Sequence, residues 1–477
     1  MRRTKIVCTL GPASASPETI AAMIRAGMDV ARLNTSHGTI ESHIEMLGMV
    51  RAAAAEVGKH VGVLMDLGGP KLRTGPTEAG QLVPLPAGAV VRVAPGTGPS
   101  TAEGLFIDYP RLLADVRIGD NVLLDDGNIE LVVERIGDGA LEARVLTGGL
   151  LGSNKGATFP QSPLTLNALT ARDRLAIAAG VAAGVDFFAL SFVKDAADIV
   201  LARAVINAHG ADTPIIAKIE RRQAVANLDA ILAEADGAMV ARGDLGVELP
   251  PEEVPVQQRE IIACAGRHMI PVITATQMLQ SMVDNPRPTR AESSDVANAV
   301  WDLSDALMLS GETAIGRYPV ETVSMMERII RRAEQAPYPE LDVPYRPGAD
   351  NHSYTIALAA RRAVESDPNM RGVACFTRSG YTAFLMSKVH PNAPIFGFSP
   401  DLAVCRRLAL ARGVTPIHAP FVETSEEMLA TVDRLLVEGG HVSLDDEVAV
   451  VASLPVRAAG TTNFLKLHRV GEARSYE

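Results

Sequence analysis

Cysteine and aromatic residues are scarce in this chain: its 477 residues include 4 cysteines and 1 tryptophan, and the aromatic share is 4%. Cys8, Cys264, Cys375 and Cys405 are scattered with no Cys-x-x-Cys spacing, which argues against a disulfide framework and predicts ordinary reduced thiols in a cytoplasmic protein. Long apolar runs are missing too. None approaches the ~20 residues of a membrane helix, so no membrane partner is expected. The apolar stretch Ile6–Leu10 behind Arg2-Arg3 is stopped by Gly11-Pro12 and is too short for the core of a secretory leader. Basic residues are outnumbered as well: 45 Lys and Arg against 56 Asp and Glu leave a net charge of −11. That balance excludes a general nucleic-acid binder, so an anionic ligand has to be held by a local positive site.

What is abundant is core material. Hydrophobic residues make up 47% and charged residues 21%, which excludes wholesale disorder. At about 150 residues per domain, the length suggests three domains. Eight short runs rich in β-branched or apolar residues recur, most of them followed by a helical pattern: Lys5–Leu10, Asp29–Asn34, Val61–Leu67, Val185–Phe192, Pro214–Ile219, Gly237–Arg242, Pro271–Thr276 and Asp305–Leu309. This alternation predicts parallel strands buried on both faces with helical crossovers, and eight such units make a (β/α)8 barrel. Ser16-Pro17-Glu18 and Gly27 mark the ends of the first helix, and Thr170 with Asp173 forms a capping-box pattern.

One interval breaks the rhythm. After the third strand, a Gly- and Pro-rich stretch carries short alternating segments at Ala89–Val93, Asn121–Leu124, Ile129–Val133 and Leu141–Val145. It predicts a small β-barrel domain inserted into a loop at the barrel's active face, where it could serve as a lid. Beyond a proline-rich linker at Pro337-Tyr338-Pro339, Pro344 and Pro347, strands near Gly372–Thr377, Pro394–Ser399, Val414–Ala419, Glu447–Ser453 and Phe464–Val470 predict a C-terminal α/β domain with an open sheet. The expected division is therefore a barrel from residues 1–69 and 164–338, a lid from 70–163, and an effector and oligomerisation domain from 345–477.

Polar residues collect where the barrel strands end. The second ends in Arg32-Leu33-Asn34-Thr35-Ser36-His37, the third in Met65-Asp66 and the fifth in Lys218-Ile219-Glu220. The sixth runs into Arg242-Gly243-Asp244, the seventh ends in Thr276-Gln277 and the eighth in Ser310-Gly311-Glu312. Lys218 and Glu220 share one face through the strand period of two. Glu220 and Asp244 on adjacent strands suit Mg2+, with Arg32, Lys218 and Arg73 adding positive charge, a combination that points to a phosphorylated substrate. Any one of these acids alone could be a rim salt bridge, and Lys218 alone a solvated rim residue. His37 reads as an orienting group. The conjunction across strands is what points to a site.

The run from Arg2-Arg3-Thr4-Lys5 through Gly11-Pro12-Ala13-Ser14 and the Asn34–Gly38 segment resemble the pyruvate kinase family, bacterial type. So do Lys218-Ile219-Glu220, Met239–Glu248, Ala275-Thr276-Gln277-Met278-Leu279 and Met308–Thr313. The resemblance implies transfer of phosphate from phosphoenolpyruvate to ADP, giving pyruvate and ATP in glycolysis, by a homotetramer. It implies that Glu220 and Asp244 hold Mg2+, with Mn2+ as a possible replacement. Lys218 would face the moving phosphoryl group and the enolate oxygen, and Arg32 the phosphate. The backbone of Gly243 would help seat the substrate carboxylate, Asp244 would also belong to the substrate-binding set, and Thr276 with Ser310 would lie beside the methylene carbon during proton delivery. Pro12, His37, Arg73 and Lys155 match nucleotide-binding positions. Asn34, Ser36 and Asp66 match positions for a monovalent cation.

The chain departs from the family after Asp66. Leu67 stands where K+-requiring members carry a hydroxyl and Lys71 where they carry an acid, so K+ is expected to be dispensable and the Lys71 ammonium to substitute for it. The competing reading is that Lys71 simply points to solvent. In the C-terminal domain, Thr377, Arg378, Ser379, Gly380 and Thr382 form a hydroxyl-rich helix start suited to a phosphorylated allosteric effector, with Gly460-Thr461-Thr462-Asn463 expected nearby. A Mg2+-dependent barrel lyase or aldolase acting on a pyruvate enolate is the rival activity, but it would not need the insert with Arg73 and Lys155. A non-catalytic metabolite sensor would have lost Arg32, Lys218, Glu220, Asp244 or Thr276, and all are present.

Overall fold

In a computed structural model the structure describes residues 2–336, 351–455 and 461–472. The proline-rich linker and Gly460 lie outside the described residues. Eight strands close into a parallel barrel in sequence order: Lys5–Thr9, Val30–Asn34, Gly62–Leu67, Phe187–Leu190, Ile215–Ile219, Gly237–Ala241, Val272–Ala275 and Ala306–Leu309. Their residues are buried on both faces, as a continuous apolar pattern requires when helices cover the outside. Val7, Leu64, Phe187, Ile216, Met239 and Ile273 fill the interior. Their neighbours on the opposite face, such as Ile6, Val63, Phe188 and Ile215, pack under the helices. The expected caps are in place: Ser16 Oγ accepts from the Thr19 amide at 3.2 Å, and Thr170 and Asp173 close a reciprocal capping box.

Residues after the third strand build the insert. It contains a two-stranded ribbon and a six-stranded sheet whose edges are Ala157–Thr158 and Gly104–Ile107. The four expected segments fall on strands Val90–Pro95, Asn121–Leu124, Ile129–Gly137 and Ala140–Thr147, over a separate core that includes Val91, Leu131, Leu141 and Phe159.

The C-terminal residues form a five-stranded sheet in the order Val414–His418, Ile395–Ser399, Met370–Phe376, Glu447–Ala452 and Phe464–Arg469, the last strand antiparallel. This unit is tied to the N-terminal end of the barrel. Lys388 Nζ donates to Asp305 Oδ2 at 2.8 Å, Arg406 Nε to Asp186 Oδ1 at 2.9 Å, and Lys5 Nζ to the Val414 carbonyl at 2.6 Å. The polar mouth at the strands' C-terminal ends is left to the insert.

Candidate active site

The parallel register brings the strand ends to one level: Thr9 pairs with Arg32, Asn34 with Asp66, and Ala189 with Asp66. Asp66, almost fully buried, is the centre of the resulting network. Arg32 Nε donates to Asp66 Oδ2 at 2.7 Å, and its Nη1 reaches Thr9 Oγ1 at 3.0 Å. Lys218 Nζ lies 3.4 Å from Asp66 Oδ1 and 3.2 Å from Glu220 Oε2, and it donates to Ser191 Oγ at 2.6 Å. Burial alone would drive the Lys218 ammonium to release its proton, but Asp66, Glu220 and Asp244 outweigh burial and Arg32 and hold its pKa above the ordinary value. Asp66 is held below the usual carboxylate range: burial opposes this, and Lys218 and Arg32 overcome it.

Glu220 is the complementary case. The Phe192 amide donates to its Oε1 at 2.6 Å, while its buried Oε2 receives no hydrogen bond despite the nearby ammonium. Burial pushes its carboxyl up to about 7; Lys218 and the Phe192 amide oppose this, and Asp244 and Asp66 add to it. Asp244, exposed in the first turn of helix Arg242–Glu248, lines the same cleft as Glu220 and Lys71. A buried, under-coordinated carboxylate oxygen facing solvent-accessible Asp244 fits a hard divalent cation, whose charge would keep Glu220 ionised.

The sixth and seventh strand ends are joined through Thr276. Its Oγ1 accepts from the Gly243 amide at 2.8 Å. Thr276 and Gln277 have φ of 70° and 55°, a left-handed geometry costly for a β-branched residue. Arg242 holds them there, donating to the carbonyl of Thr276 at 2.7 Å and of Ala275 at 3.3 Å while paired with Asp295 at 2.7 Å. Ser310 Oγ is buried without a hydrogen-bond partner, and its amide donates to buried Glu312.

Other expected site residues lie further out. Asn34 Oδ1 accepts from the Ser36 amide at 3.2 Å, and His37 is exposed, its carbonyl bonded to His43 Nε2. Pro12 opens a short 3-10 turn beside the eighth strand's loop, where a Cβ on Gly11 would lie 2.7 Å from the Ala314 carbonyl oxygen. Arg73 and Lys155 stand together on the insert. Arg73 donates to the Asn154 carbonyl, and Lys155 pairs with Asp125 at 2.7 Å, so both side chains are engaged locally. In the C-terminal unit Thr377, Arg378, Ser379 and Thr382 line a cavity of about 390 Å³, with the Arg378 guanidinium 5.8 Å from the centre of the Phe421 ring. Gly380 has φ 94°, and its amide donates to Thr377 Oγ1.

Sequence reasoning passed over the first and fourth strand ends, and these supply Thr9 and Ser191, the hydroxyls that hold Arg32 and Lys218. The rule that located the other residues applied to them also, but an isolated hydroxyl carries little signal until a charged partner is known to lie beside it.

A closed parallel barrel with buried Lys and Arg over paired carboxylates at its C-terminal mouth defines a metal-assisted barrel enzyme acting on an anionic, phosphate-bearing substrate. Residues 1–323 match the pyruvate kinase barrel domain and residues 354–468 the pyruvate kinase alpha/beta domain. The chain is 43% identical over 99% of its length to pyruvate kinase of Geobacillus stearothermophilus, covering 81% of that protein, and 42% identical to that of Corynebacterium efficiens, covering 98%. A solved pyruvate kinase from Cryptosporidium parvum superposes with a TM-score of 0.91 at 35% identity, over 98% of this chain and 96% of that one. The chain belongs to the pyruvate kinase family. It is a phosphotransferase that moves phosphate from phosphoenolpyruvate to ADP, giving pyruvate and ATP, and the family depends on a divalent metal ion.

Proposed function

We propose that the barrel mouth divides this reaction among named residues. Lys218 faces the phosphoryl group and the oxygen it leaves. Its ammonium is fixed by Ser191 and flanked by carboxylates, so a full positive charge waits where negative charge develops. This fixed ammonium is the observation that carries the reading. Arg32, clamped by Asp66 and Thr9, binds the phosphate, the backbone at Gly243 helps to seat the substrate carboxylate, and Asp244 completes the substrate-binding set. Glu220 and Asp244 would hold Mg2+, or Mn2+, which supplies charge neutralisation to the phosphoryl oxygens when bound. Thr276 and Ser310 border the substrate's methylene carbon and position a water or hydroxyl for protonating the enolate.

Arg73, Lys155, His37 and Pro12 are assigned to the nucleotide. Arg73 and Lys155 would exchange their present partners for phosphate oxygens as the insert, residues 70–163, covers the barrel, residues 1–69 and 164–338, and excludes water that would hydrolyse the donor. The test is a coupled pyruvate assay with phosphoenolpyruvate, ADP and Mg2+. Lys218→Met lowers kcat by at least about 10²–10³-fold while the protein stays folded. Turnover without ADP, or a variant near wild-type rate, defeats the assignment.

We also propose that K+ is dispensable. Lys71 is exposed but lines the cleft that contains Glu220 and Asp244, so its ammonium adds positive charge beside those acids; on this reading it stands in for the cation assigned to Asn34, Ser36 and Asp66. In a tetramethylammonium buffer, added K+ leaves the rate unchanged; a large increase refutes the idea. The cavity at Thr377, Arg378, Ser379, Gly380 and Thr382 is assigned to a phosphorylated effector. Saturation curves for phosphoenolpyruvate with fructose bisphosphate, ribose phosphate or AMP test it, and no shift with any of them counts against it. A cytoplasmic homotetramer with its effector and subunit contacts in residues 345–477 completes the reading. Among the described residues no helix is long and apolar enough to cross a membrane.

A further inference from the structure

The outer helical wall of the barrel carries a second group of metal-ligating side chains. Helix Leu228–Glu234 presents Asp229 from its first turn, helix Val254–Arg267 presents Cys264 from its last, and His268 caps the latter helix. Cys264 and His268 are four positions apart in the chain, so both lie over the same neighbour. His268 Nε2 stands 2.9 Å from Asp229 Oδ1, and Cys264 Sγ stands 3.9 Å from the same oxygen. The three ligand atoms fall within 4.8 Å of one another.

These distances suit a tetrahedral ion. Zn–N and Zn–O bonds of about 2.0 Å and a Zn–S bond of about 2.3 Å give tetrahedral edges of about 3.3 Å for N to O and about 3.5 Å for S to O. The observed 2.9 and 3.9 Å lie within about 0.4 Å of those edges. The remaining edge, His268 Nε2 to Cys264 Sγ, lies within 4.8 Å against about 3.5 Å for a tetrahedral N to S edge, so closing on an ion requires the imidazole and the thiol to rotate toward each other. The donors are a thiol, an imidazole and one carboxylate, a mixture that favours a borderline cation over Mg2+. Cys264 is buried, whereas the Asp229 side chain is 57% exposed, so a fourth ligand can come from water on that side.

We propose that Asp229, Cys264 and His268 form a second metal site that takes one divalent cation of the zinc type and clamps the two helices together. Binding releases the Cys264 thiol proton to solvent. The imidazole proton now shared with Asp229 is given up at Nε2 and replaced at Nδ1, so one proton leaves per cation. Helix Val254–Arg267 returns to the N-terminal end of the barrel, so its last turn lies away from Glu220 and Asp244, and the two sites take different ions.

The test is titration of the full chain with Co2+ in excess Mg2+, which fills the carboxylate site at the mouth without giving a thiolate signal. One equivalent of Co2+ produces a thiolate-to-metal charge-transfer band in the near ultraviolet and the strong visible bands of a tetrahedral site. Zn2+ abolishes both. The band is absent from Cys264→Ser and forms at least about tenfold more weakly in His268→Ala, with Mg2+-supported turnover unchanged in each. Should Cys264→Ser fail to fold, Asp229→Asn on the exposed side keeps the band but weakens binding. No band in the wild type, a band undiminished in Cys264→Ser, or failure of Zn2+ to displace Co2+ overturns the site.

Discussion

The pair Lys388–Asp305 offers a sharp test of how the C-terminal unit is fixed to the barrel. Lys388 ends helix Tyr381–Lys388, and Asp305 immediately precedes the eighth barrel strand. Their side chains are 2% and 1% exposed. Asp305 Oδ2 accepts from Lys388 Nζ and from the Val272 amide, both at 2.8 Å, while Oδ1 has no hydrogen-bond partner. Lys388→Met keeps most of the side-chain volume but leaves a buried carboxylate with one amide donor. Removing one partner of a buried pair costs about 3–5 kcal/mol, because the remaining charge stays out of water. At about 2–4 °C per kcal/mol, the apparent Tm falls by roughly 6–20 °C. The double variant Lys388→Met/Asp305→Asn removes both charges and retains an oxygen for the Val272 amide, so it recovers more than half of the loss. Thermal unfolding by far-UV circular dichroism reads all four corners of the cycle. A single variant losing less than about 2 °C, or a double variant as unstable as the sum of the singles, would refute the reasoning.

Thr276→Gly relieves a left-handed backbone strain of about 1–3 kcal/mol and removes the hydroxyl that receives the Gly243 amide. Stability should hold or rise while kcat falls at least about tenfold; a fully active variant means that the hydroxyl has no part in catalysis. His390 is held well below its ordinary 6.5, first by burial and then by Arg412, Lys388, Arg361 and Arg3. The unfolded chain therefore takes up a proton that the folded chain refuses, and the His390 contribution is full above about pH 6.5 and is lost as the pH falls below it. His390→Gln flattens the urea midpoint against pH over that acid limb, and an unchanged slope rules the residue out as its source.

The barrel was legible because a parallel strand covered on both sides must be apolar along its length and can become polar only where it leaves the sheet. The fourth strand shows the limit of that signal. The apolar run suggests Val185–Phe192, but the strand is Phe187–Leu190. Asp186 stays outside it, accepting from the Val63 amide and pairing with Arg51 and Arg406. At the other end Phe192 turns to φ 59° and gives its amide to Glu220. Both limits are set by partners distant in the chain, which local periodicity does not contain.

The chemistry divides in the same way. Lys218 and Glu220 could be placed on one face from spacing alone, since the strand's period fixes it. The charge that Lys218 keeps after burial could not, because it depends on Asp66 from the third strand and Asp244 from the helix after the sixth. Ser191 is a stronger example: an isolated serine in the sequence becomes a 2.6 Å acceptor for the buried Lys218 ammonium once the fourth and fifth strands are in register, with Leu190 opposite Ala217. Arg242 sits one residue before Gly243 at the sixth strand's polar end, yet its guanidinium faces the Ala275 and Thr276 carbonyls and Asp295. It therefore shapes the site by holding the seventh loop in a conformation that Thr276 would not adopt unaided. Sequence spacing identifies groups able to react, and the partners that fix their charge and direction come from strands that only the closed barrel makes neighbours.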